Sequence, residues 1–271
     1  MTSKPVRSDR AFESVARGSG WTPWTAGDRS LPRDHAGPDV SVVIPVFDEE
    51  ENVPILLAEI EAVMSAGDRE YEIVAVDDCS TDRSFALLRS AAASSRRLRL
   101  LSTPRRLGQS AALAAGIRAA RAPVVITCDA DLQNDPKDIP RLLEALETCD
   151  VVSGIRRDRQ DTRLRRVSSL IANLVRRRLL DDGIHDVGCS LKAYRRELLV
   201  GLPPFNGMHR FLPALARLQG ARVREIEVNH RPRRFGRSKY GIANRLGRGI
   251  VDLLGVLWLK KRWIDLSSFR E

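Results

Sequence analysis

Two carboxylates one residue apart, Asp129 and Asp131, follow directly on the apolar run Val124-Val125-Ile126-Thr127-Cys128. Oxygen ligands in that arrangement suit a hard divalent ion, Mg²⁺ or Mn²⁺, and a diphosphate carried on it. Such an ion neutralises charge that grows on a departing phosphate group. The same residues also suit a structural role, because the segment from Asp131 can open a helix at Pro136. A second acidic cluster, Asp77-Asp78-Cys79-Ser80-Thr81-Asp82, follows the run Tyr71 to Val76. A carboxylate at a strand end can accept from a base or a ribose hydroxyl. Ser80 or Thr81 can also cap the next helix, to which Asp82 is mainly assigned. A third cluster, Pro45-Val46-Phe47-Asp48-Glu49, ends the run that starts at Val40.

These clusters need elements to position them. Val40–Pro45, Tyr71–Val76, Leu98–Ser102 and Val124–Cys128 are short, apolar and rich in β-branched residues, the pattern of buried parallel strands. Between them, Glu49–Met64, Asp82–Ser94 and Gln109–Ala120 carry helical spacing. The alternation predicts a doubly wound α/β sheet. In such a sheet ligands bind beyond the carboxyl ends of the strands, so the three acidic clusters should converge on one crevice.

The second half is more basic. A strand is expected at Val151–Gly154, another near Ser190–Tyr194 and a third at Val223–Val228, with a helix at Phe211–Gln219. Arg163–Leu180 reads as an amphipathic helix carrying Arg163, Arg165, Arg166, Arg176, Arg177 and Arg178. So many arginines need an anionic counterpart, which a membrane leaflet supplies. A basic loop, Arg231 to Tyr240, follows the last strand. Ile242–Ile264 is read as a further amphipathic helix or pair, with Leu246, Ile250, Leu253, Leu254, Leu257 and Trp258 on one face beside basic residues. That composition suits a helix lying in a membrane interface; packing on the chain's own core or on a sister subunit is the other reading.

The chain has 271 residues and a net charge of +10, which favours anionic partners without choosing among them. Four scattered cysteines without a CxxC pair read as free thiols of a reducing compartment. Neither a secretory signal nor an apolar stretch of membrane-spanning length is seen, so a cytoplasmic location is expected. A nucleic-acid partner is not expected: no recognised binding motif occurs, and strand-end carboxylates repel a phosphate backbone. Residues 1–38 read as a flexible tail, 39–240 as the working domain and 241–271 as the helical C-terminal segment.

Taken in order, Ser41-Val-Val-Ile-Pro-Val-Phe-Asp-Glu-Glu-Glu-Asn-Val53, Val76-Asp-Asp-Cys-Ser-Thr-Asp82 and Asp129-Ala-Asp-Leu-Gln-Asn-Asp-Pro136 resemble the family 2 glycosyltransferases. Asp-Ala-Asp-Leu-Gln, Ser169-x-x-x-Asn173 and Arg233-x-x-Gly236-x-Ser238-Lys239 resemble more closely the dolichol- and polyprenyl-phosphate sugar synthases. Cys79 departs from the pattern, where the family more often has Gly or another small residue.

The resemblance implies a GT-A type, Rossmann-like single domain with a mostly parallel sheet, followed by amphipathic membrane-surface helices. It implies an inverting, metal-dependent transfer of a sugar from a GDP- or UDP-linked donor to a polyprenyl phosphate. The alternative is a sugar hydroxyl acceptor in cell-envelope polysaccharide synthesis. Pro45, Phe47, Glu49 and Asp77 would contact the base and ribose, and Asp129 the ribose and diphosphate. Asp131 and Gln133, with Asp129, would hold Mg²⁺ or Mn²⁺. Arg233 and Lys239 would engage the diphosphate, and Arg156, Arg165 and Ser169 the acceptor phosphate. Asp186 would orient substrate or act as base, or simply bond its own loop. The expected location is peripheral, on the inner face of the cell membrane, with a homo-oligomer or a membrane-protein partner left open.

Overall fold

The computed structural model describes residues 37–156, 176, 178–180, 182–236 and 242–264. The tail over residues 1–36, nearly all of the Arg163–Leu180 helix and Lys239 lie outside the described residues.

The first half alternates as expected: β1 (Val40–Val46), α1 (Val53–Ser65), β2 (Tyr71–Asp77), α2 (Ser84–Ser94), β3 (Leu98–Ser102), α3 (Gln109–Ala119) and β4 (Val124–Thr127). The second half adds α4 (Ile139–Leu146), β5 (Val151–Arg156), β6 (Lys192–Arg195), α5 (Glu197–Val200), α6 (Leu212–Leu218), β7 (Val223–Val228) and α7 (Ile242–Arg262). Among the described residues one seven-stranded sheet forms, in the order β3-β2-β1-β4-β6-β5-β7. Only β6 runs against its neighbours, β4 and β5; the other pairings are parallel.

Burial on both faces explains the unbroken apolar runs. Val40, Val42 and Ile44 point to one side with Ile73, Ala75, Val124 and Ile126, under α1 and α4. Val43, Val74, Val76 and Val125 point to the other, under α3, α6 and α7. Gly116 lets α3 lie directly on β1, since an added Cβ there would overlap Val43 Cγ1.

Three boundaries differ from the sequence reading. α1 starts at Val53, not Glu49, because the Asn52 and Val53 amides donate to the Glu49 carbonyl in a tight turn and the Glu49 amide donates to Ser84 Oγ. The helix over Ile139–Leu146 fills the stretch after Pro136, and its buried Ile139, Leu142, Leu143 and Leu146 close one side of the core. The C-terminal segment is one helix rather than a pair.

Candidate active site

β2, β1 and β4 are adjacent and parallel, so their carboxyl ends share one edge of the sheet. The loop beyond each end holds one non-glycine residue with positive φ: Asp48 at 49°, Cys79 at 62° and Leu132 at 59°. Among the described residues these are the only such cases. Left-handed backbone costs about 1–2 kcal/mol in a residue with a Cβ, and such strain collects where function fixes a loop's shape. Glycine at position 79 would avoid that strain.

The loops brace one another. Asp48 Oδ1 accepts from the Thr81 amide at 2.6 Å, and Ser80 Oγ accepts from the Asp48 amide at 3.0 Å. Asp82 accepts from the Ser84 amide at 2.8 Å and the Glu50 amide at 3.1 Å, so it serves the start of α2. Asp78 accepts from the amides of Leu107 and Gly108, both at 2.7 Å, which fixes the loop after β3. That loop lays the Arg106 guanidinium 3.8 Å above the Phe47 ring. Asp77 is buried; its Oδ2 accepts from the Ser80 amide at 3.2 Å, while Oδ1 has no partner among the described residues. A buried acceptor left unmatched is costly unless a ligand donates to it.

Asp129 and Asp131 lie beyond β4. Gln109, first residue of α3, donates from Nε2 to Asp129 Oδ1 at 2.7 Å. Burial, and then the charge of Asp131, push the Asp129 carboxyl up to about 6. A buried carboxylate whose ionisation is opposed in this way is relieved by a cation. Asp131 Oδ1 accepts from the Gln133 amide at 3.2 Å, and its Oδ2 accepts from Arg233 Nη2 at 2.6 Å. Arg233 Nη1 also lies 3.6 Å from Glu49 Oε1. Asn52 Nδ2 donates to the other Glu49 oxygen at 2.5 Å. Among the described residues no group of three or more His, Cys, Asp or Glu side chains forms a closed metal site. Two carboxylates are what a diphosphate-bound Mg²⁺ or Mn²⁺ asks of the protein, the remaining ligands being phosphate oxygens and water.

The arm after β7 delivers Arg233 to this place. Asn134 bridges to His230, and the Arg231 amide donates to the Gln133 carbonyl at 2.9 Å. The Arg231 side chain reaches Glu59 at 2.7 Å and Asp135 at 2.5 Å. Asn134 Oδ1 in turn accepts from Ser190 Oγ at 2.6 Å. The aspartate loop is thereby stitched to the segment before β6 and to the arm after β7.

Arg156, at the end of β5, and Asp186 meet. Arg156 Nε and Nη2 donate to the two Asp186 carboxylate oxygens at 2.7 and 2.8 Å. The backbone amides of Arg156 and Gly188 also donate to Asp186, at 3.2 and 3.1 Å. Lys192 is buried nearby; its Nζ donates to the Val187 carbonyl at 3.4 Å. Burial pulls its ammonium down, against the charges of Cys189, Asp186 and Asp129. Arg165 and Ser169 lie outside the described residues.

The structure thus gathers Pro45, Phe47, Glu49, Asp77, Asp129, Asp131, Gln133 and Arg233 at one edge. The sequence reading missed Gln109, Asn134, Ser190, Arg106 and Arg231. Gln109 opens a helix three residues after the Arg105-Arg106 pair, a weak signal; Asn134 and Arg231 fall inside segments that were singled out, but no role was assigned to them.

Comparison with known proteins agrees with this layout. The chain is 38% identical over 229 residues to the dodecaprenyl-phosphate galacturonate synthase of Rhizobium johnstonii, covering 82% of this chain and 68% of that protein. It is 43% identical over 217 residues to an undecaprenyl-phosphate 4-deoxy-4-formamido-L-arabinose transferase of Pseudomonas aeruginosa, covering 79% and 64%. The fold is similar to that of glucosyl-3-phosphoglycerate synthase from Mycobacterium tuberculosis, crystallised with Mn²⁺, UDP and phosphoglyceric acid. The TM-score is 0.64 at 23% identity, over 85% of this chain and 81% of that one. The family model "Glycosyl transferase family 2" matches residues 41–201. The strand-end carboxylates, the mostly parallel sheet and these matches agree: the chain belongs to glycosyltransferase family 2.

Proposed function

We propose that this glycosyltransferase moves a sugar from a nucleoside diphosphate to a polyprenyl phosphate at the cytoplasmic face of a membrane, inverting the anomeric centre. The observation that carries the donor side is Arg233 held 2.6 Å from Asp131 and beside Glu49. A cation from a distant arm thus stands at the carboxylates that would hold the donor's metal. The acceptor class comes from the two relatives, whose names state transfer to, or synthesis on, dodecaprenyl and undecaprenyl phosphate.

In this reading Asp77 receives a donor group of the base through its unmatched Oδ1, and Phe47 with Arg106 flanks the base. Glu49 and Pro45 line the ribose. Asp131 and Asp129, with Gln133, hold Mg²⁺ or Mn²⁺; a bound ion supplies Lewis-acid stabilisation of the leaving diphosphate. Arg233 leaves Asp131 for the diphosphate when the donor enters, and Lys239 joins it. An acceptor phosphate oxygen forms the bond to the anomeric carbon as the bond to the diphosphate breaks and takes its electron pair with it. That oxygen is already anionic, so a strong general base is not required. Asp186 fits this: its carboxylate orients Arg156 toward the acceptor phosphate, which Arg165 and Ser169 also bind.

The membrane side rests on α7. Its inner face, with Val256 at 2% exposure, packs on the core, yet its outer face is also apolar: Ile250 53%, Val251 68%, Leu254 59% and Trp258 65% exposed. Lys261 and Arg262 close that face. Among the described residues no helix is long and apolar enough to cross a membrane. A helix apolar on both sides, with basic residues at its end, suits the interface of an anionic leaflet.

The test is a donor screen of UDP- and GDP-linked sugars with undecaprenyl phosphate and Mn²⁺, followed by organic extraction. A lipid-linked monophosphate sugar, lost on chelation, is the expected product. Transfer only to water-soluble sugar acceptors would overturn the acceptor assignment.

A further inference from the structure

The turn Gly207-Met208-His209-Arg210 lies between α3 and α7 and plays no part in the reading above. Ser110, second residue of α3, is buried, and its Oγ accepts from the Gly207 amide at 2.9 Å. The same Oγ lies 2.7 Å from His209 Nδ1. Arg210 Nε reaches His209 Nε2 at 3.4 Å, and Arg210 Nη1 lies 3.9 Å from Asp252 Oδ2 on α7. Gly207 has a φ of 92°, and an added Cβ there would overlap the Asp252 carboxylate. The turn is therefore wedged against the very helix whose outer face is apolar.

On its other side the wedge meets the active site through one residue. Gln109 precedes Ser110 and donates to Asp129 Oδ1 at 2.7 Å. Gly108, before it, has a φ of 95° and no side chain to cap the helix. The first turn of α3 is thus fixed from outside, by Asp78 on the Gly108 amide and by Ser110 with the turn that holds it. Gln109, together with Ser190 on the same carboxyl, sets which way the Asp129 oxygens face.

We propose that Ser110 and His209 form a clasp that positions Gln109, and through it Asp129, for the metal-bound donor, with Arg210 and Asp252 tying the clasp to α7. His209 and Ser110 are positioning residues: they act through Gln109 and do not touch substrate. The proposal rests on the metal reading of Asp129 and Asp131. Groups that orient a ligand from behind commonly contribute about 10–100-fold in metal affinity, and a clasp one residue removed should contribute toward the lower end.

The test is a double-mutant cycle on the full chain, with Mn²⁺ alone as the probe. His209→Ala should weaken Mn²⁺ binding about 10-fold, and Gln109→Ala by a similar factor. The double variant should be no weaker than Gln109→Ala, because both act through one contact. His209→Asn, whose amide can occupy the place of Nδ1, should restore most of the affinity. Hydrogen exchange on metal-free protein gives a second readout: His209→Ala should lose protection at the Gly207 amide and in the first turn of α3. Losses that add in the double variant, or unchanged exchange in His209→Ala, would overturn the clasp. If the unmutated chain binds no Mn²⁺, the metal reading falls, and exchange alone then decides for or against the clasp.

Discussion

Arg233 Nη2 lies 2.6 Å from Asp131 Oδ2, although 102 positions separate the two residues in the chain. In the proposed function, the guanidinium holds a carboxylate that a divalent ion would take over. Removing it should separate two effects. Arg233→Ala should lower kcat about 100-fold or more, the order seen when one charge-stabilising group is lost from a transfer site. Binding of Mn²⁺ alone should stay equal or tighten, because a competing cation has gone. Steady-state kinetics and a metal titration check this; weakened metal binding would show that Arg233 supports the aspartate loop instead.

Cys79 sits at a φ of 62°, where a Cβ is strained. Cys79→Gly relieves that strain and adds backbone freedom to the unfolded chain, which partly offsets the gain. A net stabilisation of about 0.5–1 kcal/mol is expected, a rise of roughly 1–4 °C in melting temperature for a chain of this size. Donor turnover should be unchanged. A lower melting temperature would mean that the Cys79 thiol, 3.7 Å from the Pro104 carbonyl, matters more than the backbone.

Thiol labelling should follow burial. Cys128, Cys149 and Cys189 are buried and Cys79 is partly exposed. Burial pushes the Cys128 and Cys149 thiols up, and Cys189 to about 11. A raised thiol pKa keeps the unreactive protonated form, so at pH 8 roughly one Cys189 in a thousand is thiolate. Mass spectrometry after brief alkylation at pH 8 should find one modified site, Cys79. Labelling of the other three should require denaturant. Early labelling of Cys189 would contradict the packing behind Gly154, whose added Cβ would fall 2.8 Å from the Cys189 sulfur.

The outer face of α7 gives a binding prediction. Leu254→Glu with Trp258→Glu places two carboxylates on the exposed apolar stripe without touching Val256 on the core side. Co-sedimentation with vesicles containing anionic lipid should fall at least 10-fold, while nucleotide binding in solution stays intact. If the unmutated chain ignores vesicles and the variant instead changes molecular mass in solution, that face joins two copies of the chain.

The strands that place the aspartates were readable because fully buried parallel strands are written as unbroken β-branched runs, and each acidic cluster follows one directly. β6 was seen as a strand, but its reversed direction was not, since direction depends on the connection and not on the run itself. Gln109, Asn134 and Arg231 were missed for a different reason. Each acts through a hydrogen bond to a residue distant in sequence, so its neighbours could mark the segment but not the partner. Asp186 and Arg156 were each legible as charged residues of interest; that they bind each other became visible only in three dimensions.

The bridge between Asn134 and His230, with the Arg231 amide on the Gln133 carbonyl, has a mechanical consequence. The root of the arm is riveted to the aspartate loop, so the arm cannot sweep in from afar when a donor arrives. Among the described residues, what remains to turn is 232–236, with a stiff Pro232 at its start and Gly236 at a φ of 76° at its end. If Arg233 closes on a diphosphate as proposed, its movement is therefore the throw of a short lever about a fixed pin. Its reach is set by one arginine side chain and a few peptide units.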